Sequence, residues 1–258
     1  MKRKQIILLG VAALVLGICL AAEVAAYRPL TVGIAGSGKV QVQLLEGAAW
    51  VMAESKPPWR TVRQGDVLQV GDEVQTGPKA RLECLLPDRS CVRFADNCRF
   101  ILVRLDAEPA KPRDIRVQMA VGRAWANVAK AIGAKGSFEI ATRNAVAGVR
   151  GTVYHLNVHE DKSVLVRVYD GTVVVIGGSK QTEAPPLVGP PQKVAGPKSI
   201  PGPQKVSMEE WTFIIKAMQQ IYVRSDGTAE QPHDFTAQED RDAWVEWNLM
   251  RDAALKGQ

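Results

Sequence analysis

Ala145-Val146-Ala147-Gly148-Val149-Arg150-Gly151-Thr152-Val153-Tyr154-His155-Leu156 is followed, after a short polar stretch, by Val164-Leu165-Val166-Arg167-Val168-Tyr169-Asp170-Gly171-Thr172-Val173-Val174-Val175-Ile176. Each run sets β-branched residues around a tight glycine-centred bend, the composition of extended strands that reverse sharply. Asp170-Gly171 is a strong hairpin signal, because glycine accepts the positive φ that such turns demand. Arg150, crowded by glycines and valines, is expected to fix its bend by donating hydrogen bonds to backbone carbonyls or a buried carboxylate, the alternative being that it faces a partner. Gly151 and Thr152 complete that corner. Neither run carries the residues of a catalytic centre, and together they predict an all-β fold.

The same texture extends outward over residues 40–176. Val40-Gln41-Val42-Gln43-Leu44 alternates with period two, as a half-buried strand requires. Glycines at 65, 71 and 77 punctuate strands of four or five residues. Pro87-Asp88-Arg89-Ser90 reads as a turn between two apolar runs, and further strands are expected over residues 115–121, 123–128 and 136–141. So many short strands must stack or close to protect their edges. The expected domain is therefore mainly β, a compact antiparallel sandwich or β-roll.

Composition changes at residues 177–206, where seven prolines and five glycines predict a semi-extended linker. Residues 207–256 read as a helical pair. Ser207 with Glu210 and Thr236 with Glu239 are capping-box spacings, and Trp211, Ile214, Ile215, Met218 and Ile221 recur at helical intervals. Trp211, Trp244 and Trp247 are expected to form a packing seam.

Several stretches of residues 40–176 resemble the FecR domain, a β-module of bacterial envelope proteins. They are Gly65-Asp66, Gly71-Asp72 through Thr76-Gly77, the turn at Asp88, Gly122, Val149-Arg150-Gly151-Thr152 and Asp170-Gly171-Thr172-Val173. The resemblance implies an extracytoplasmic interaction module whose partner is an envelope protein or cell-wall polymer. Family members include sigma-factor regulators for iron uptake, which carry a cytoplasmic anti-sigma segment. Only Met1 to Gln5 precede the apolar run here, so no sigma factor is expected as a partner. Arg89 departs from the family, standing where its turn usually has glycine. The tail around Trp244 and Trp247 is similar to tails on other stand-alone FecR-domain proteins.

Residues 1–26 read as an export segment. Lys2-Arg3-Lys4 precedes the 17 uncharged residues 6–22, and small residues follow. This is either a cleaved signal peptide or an uncleaved anchor in the inner membrane, since about 17 to 25 apolar residues suffice to span. A lipoprotein signal is disfavoured by Ile18 before Cys19. Either way the remainder is expected in the periplasm or cell envelope. The formal charge is +6, of which the leader supplies +2, leaving +4. That balance suits contact with anionic envelope polymers and is too weak to indicate nucleic acid.

Gly33 to Lys39 fits a phosphate-binding loop until its last position, where Val40 replaces Ser or Thr. His155 and His159 stand about 13 Å apart along a strand, too far to share a metal. Cys84, Cys91 and Cys98 allow one disulfide between two of them, or three buried thiols on neighbouring strands. Trp50 and Trp125 read as core; Trp59, after two prolines, is the candidate partner contact. No catalytic, cofactor or metal site is expected, and the chain reads as a non-enzyme.

Overall fold

In a computed structural model the structure describes residues 38–108, 111–130, 136–177 and 211–256. The expected leader, residues 1–26, and all of the expected linker but Gly177 lie outside them. Among the described residues the strands are β1 (Lys39–Glu46), β2 (Ala49–Met52), β3 (Arg60–Thr61), β4 (Val67–Gln69), β5 (Glu73–Thr76), β6 (Arg81–Leu85), β7 (Cys91–Phe94) and β8 (Arg99–Asp106). They continue with β9 (Asp114–Asn127), β10 (Ser137–Ala141), β11 (Ala145–Val149), β12 (Val153–Val158), β13 (Val164–Asp170) and β14 (Thr172–Gly177). β15 (Trp211–Lys216), β16 (Gln219–Val223), β17 (His233–Asp234) and a helix, α1 (Ala243–Lys256), complete the chain.

Pairing resolves these strands into two sheets that share one member. The first runs β3–β2–β5–β8–β9–β10–β11–β14–β15. The second runs β4–β1–β6–β7–β9–β12–β13–β16–β17. All pairings are antiparallel except β9 with β10. β9 changes sheets at Gly122. Up to Val121 it pairs with β8, and from Gly122 it pairs with β12. Gly122 adopts φ +107, and a Cβ there would lie 2.7 Å from the Cys98 Cα. Only glycine turns this corner.

Alternation along each strand fills one apolar core between the sheets. β13 and β14 bury every second residue, placing Val166, Val168, Val173 and Val175 inside. Phe94 of β7 stacks on Phe100 of β8 at 3.7 Å between ring centres, bridging the two sheets. Such a pair contributes about 0.5–1.5 kcal/mol beyond the area it buries.

The expected helical pair is half wrong. Residues 211–223 form the hairpin β15–β16, which pairs with β14 and β13 and so extends both sheets. Thr212, Phe213, Ile214, Ile215, Ile221, Tyr222 and Val223 suit a pleated surface, and two waiting edges decide against a helix. Thr236 and Glu239 do exchange hydrogen bonds as a capping box, but around a single turn. The helix proper is capped by Asp242, whose carboxylate accepts the Val245 amide at 2.8 Å. Among the described residues no helix is long and apolar enough to cross a membrane.

Candidate binding groove

The two runs that decide the fold meet in space. Gly151 leaves β11 with φ +68, and Thr152 donates its hydroxyl to the Thr172 carbonyl at 2.9 Å. Gly171 follows β13 with φ +85, and a Cβ there would sit 2.8 Å from the Gly151 carbonyl oxygen. Each bend is thus packed against the other. Asp170 stands at the end of β13, opposite Val153. Arg150 takes no part in holding the corner. It is exposed and has no hydrogen-bond or ionic partner among the described residues. The backbone-fixing role expected of Arg150 falls to Thr152.

Beside this corner, on the outer face of the first sheet, lies a groove of about 410 Å³. Its lining includes Ser137, Glu139, Gly148, Arg150, Thr172 and Val174. Register explains the set. Gly148 stands between Glu139 of β10 and Val174 of β14, and Val174 faces Ile214 of β15. Two residues along, Thr172 faces Lys216. Glu139 is engaged by Arg116 in an ion pair at 3.6 Å.

A second cluster occupies the outer face of the second sheet, beneath α1. Glu83, Arg93, Trp125, His155, Arg167 and Gln220 are directly opposed across six consecutive strands. Arg93, fully buried, donates to Glu83 at 2.6 Å and to Asp252 of the helix at 2.7 Å. Trp125 Nε1 donates to the same Asp252 at 2.8 Å. Arg251 closes on Glu83 through two bonds of 2.6 and 2.7 Å. At the other end Asp240 accepts from Tyr169 at 2.6 Å and Arg167 at 2.5 Å, with His155 Nδ1 at 3.1 Å. Burial pushes the Asp240 carboxyl upward, but His155, Tyr169 and Arg167 outweigh it and hold it below the ordinary carboxylate range. Burial likewise raises Glu83, and Arg251 and Arg93 reverse that. Trp244 and Trp247 stack at 5.4 Å on the helix, with Arg81 over the Trp247 ring. This is a clamp whose charges are spent on one another. Sequence reasoning missed it.

The other candidates are dispersed. Cys84, Cys91 and Cys98 are free, buried thiols, so no disulfide joins any two of them. Cys84 and Cys91 lie on adjacent strands but face Val92 and Leu85 instead of each other. Burial raises the Cys91 and Cys98 thiols to about 12. Trp59 is half-buried just before β3, Trp50 is half-buried over Gly77, and Trp125 is fully buried. Trp211 lies on β15, away from the helical seam expected for it. Among the described residues no three His, Cys, Asp or Glu side chains group to hold a metal ion.

Comparison with known proteins identifies one segment. Residues 72–174 match the family described as FecR protein, a span running from β5 through the groove and both motif bends. No curated protein matches the chain. Two crystal structures described as a "putative anti-sigma factor" from Parabacteroides distasonis, at 2.50 and 1.65 Å, are each 20% identical with a TM-score of 0.44. Each alignment covers 64% of this chain and 61% of that one, so the chain spans about three fifths of their length. At that distance the likeness decides neither activity nor partners.

Proposed function

We propose that this chain, whose residues 72–174 belong to the FecR family, is a non-catalytic binding module on the extracytoplasmic side of a bacterial envelope. It recognises an envelope protein or cell-wall polymer and contributes to envelope sensing. One observation carries this reading. Within the family segment Gly151, Thr152 and Gly171 hold the bends, and they leave Arg150 exposed beside an open groove. The extracytoplasmic placement rests on the basic-then-apolar pattern of residues 1–26.

Protease protection tests the placement. A C-terminal tag on the full chain is expected to be cut in spheroplasts without lysis, and the N-terminal residue of the mature protein distinguishes a removed leader from an inner-membrane anchor. A tag protected until lysis refutes the reading. The Pro/Gly-rich residues 177–206 favour a second role, a structural component held near the membrane by a spacer. Broad retention on murein, with no stoichiometric protein partner after cross-linking, is the result expected of that role.

A further inference from the structure

Gly148 is a glycine that the fold does not require. Gly122, Gly151 and Gly171 all have positive φ and crowded surroundings. Gly148 has neither, since a Cβ built on it meets nothing nearer than 3.8 Å, at the Val174 carbonyl oxygen. Among valines in a strand, a glycine forfeits packing and weakens the strand, and its usual compensation is close approach by a ligand or another backbone. Here it leaves the floor of the groove bare.

The surface around that floor has a polarity. Val174 and Ile214 continue the Gly148 row, Ile176 lies two residues along β14, and Ile214 and Ile176 are 62% and 42% exposed. In the opposite direction Lys216 faces Thr172 and Arg150 lines the groove with it, both cations exposed and without an ionic partner among the described residues. Glu139, the groove's own carboxylate, is already engaged by Arg116. An apolar floor therefore abuts a free cationic rim about 7 Å away, the distance from one residue to the next but one in an extended chain.

We infer that this groove is the docking site of the module proposed above, and that its ligand is an extended acidic peptide segment. A carboxylate side chain would meet Arg150 and Lys216, while the side chain two positions along lies over Gly148 beside Val174 and Ile214. The peptide backbone approaches the sheet where no side chain stands in its way. Alternation of acidic and β-branched residues is the pattern that fits, and a basic peptide of the same shape is rejected by the rim.

The test uses the full purified chain and two labelled probes, acetyl-(Glu-Val)₃-amide and acetyl-(Lys-Val)₃-amide, read by fluorescence anisotropy. The acidic probe is expected to bind at least about tenfold more tightly than the basic one. Gly148→Leu fills the floor and Arg150→Glu inverts the rim, and each is expected to weaken the acidic probe about tenfold or more. Thermal melting confirms that both variants fold, and Lys39→Glu, the same charge change on the other sheet, is expected to leave binding as it was. Equal binding of the two probes, no binding of either, or indifference to both groove variants overturns the assignment. Groove-dependent binding of soluble murein fragments in place of the peptide overturns it too, and leaves the envelope-binding reading standing. That reading fails separately, on the protease result.

Discussion

Replacing Gly122 by alanine tests the corner on which the two sheets depend. The added Cβ would sit 2.4 Å from the Cys98 Sγ, 2.9 Å from its Cβ and 2.7 Å from its Cα. Ordinary contact begins near 3.4 Å, and the Cα belongs to the backbone, so no rotamer of Cys98 relieves the overlap. A non-glycine residue held at this positive φ costs about 1–3 kcal/mol. Overpacking by one methyl group adds about 1–3 kcal/mol. The sum, about 2–6 kcal/mol, is a large part of the ~5–15 kcal/mol by which a domain is usually stable. Urea denaturation followed by circular dichroism should show the midpoint fall by the corresponding amount without a change in slope. Cys98→Ala in the same chain removes only the sulfur contact and should recover less than half of the loss. Gly148→Ala is the matched control, expected within about 0.5 kcal/mol of the parent or slightly above it. If Gly122→Ala costs less than about 1 kcal/mol, or less than Gly148→Ala, the claim that this glycine enforces the sheet change is wrong.

Other consequences follow from the clamp, the turns and the thiols. Arg89 holds φ +67, where an L-residue is strained by about 1–2 kcal/mol, so Arg89→Gly should raise stability by about 0.5–1 kcal/mol after the entropy of glycine is counted. Asp252→Ala removes one of the two carboxylates on Arg93 and the acceptor of Trp125, and with Glu83 still in place should cost about 1–3 kcal/mol. A double-mutant cycle with Arg93→Ala that shows no coupling would refute that pairing. Asp240 and Glu83 are held below their ordinary values, so their contribution is complete above the unfolded-state values, near pH 4, and lost as pH falls through the lower folded ones. Asp240→Asn should flatten part of that acid limb in a pH titration of stability. Cys91 and Cys98, raised to about 12, should resist a thiol reagent in the native protein and react only on unfolding. Fast labelling without denaturant would contradict their burial.

The bends were legible in the sequence because their chemistry is local: Gly151 and Gly171 each announce a positive φ that few other residues accept. Period-two alternation likewise marked β1, and β-branched residues marked β13. Arg99–Asp106, β8, carries no such mark, since its contiguous Phe100-Ile101-Leu102-Val103 lacks alternation. Residues 211–223 misled for a different reason. Their apolar spacing fits either period, and the reversal at Met218 takes φ +62 without any glycine or asparagine to mark it. Only the unpaired edges of β13 and β14 decide the matter, and those are invisible in a one-dimensional reading. The groove was half legible: Arg150 stood out, but its neighbours Ser137, Glu139 and Thr172 arrive through pairing register. The clamp was least legible, because Glu83, Arg93, His155 and Arg167 look like the solvent side of alternating strands until α1 is laid over them.

The hairpin of residues 211–223 and the helix after it close two sheets whose earlier strands are separated from them by more than thirty residues. Until that distal portion arrives, β13 and β14 present bare hydrogen-bonding rims, and Arg93 has Glu83 but lacks its second carboxylate, Asp252. Neither sheet can therefore be completed until residues 211–223 have been synthesised. Folding of both sheets thus waits on the last fifth of the polypeptide, and the uncovered rims are the places where a truncated chain would self-associate.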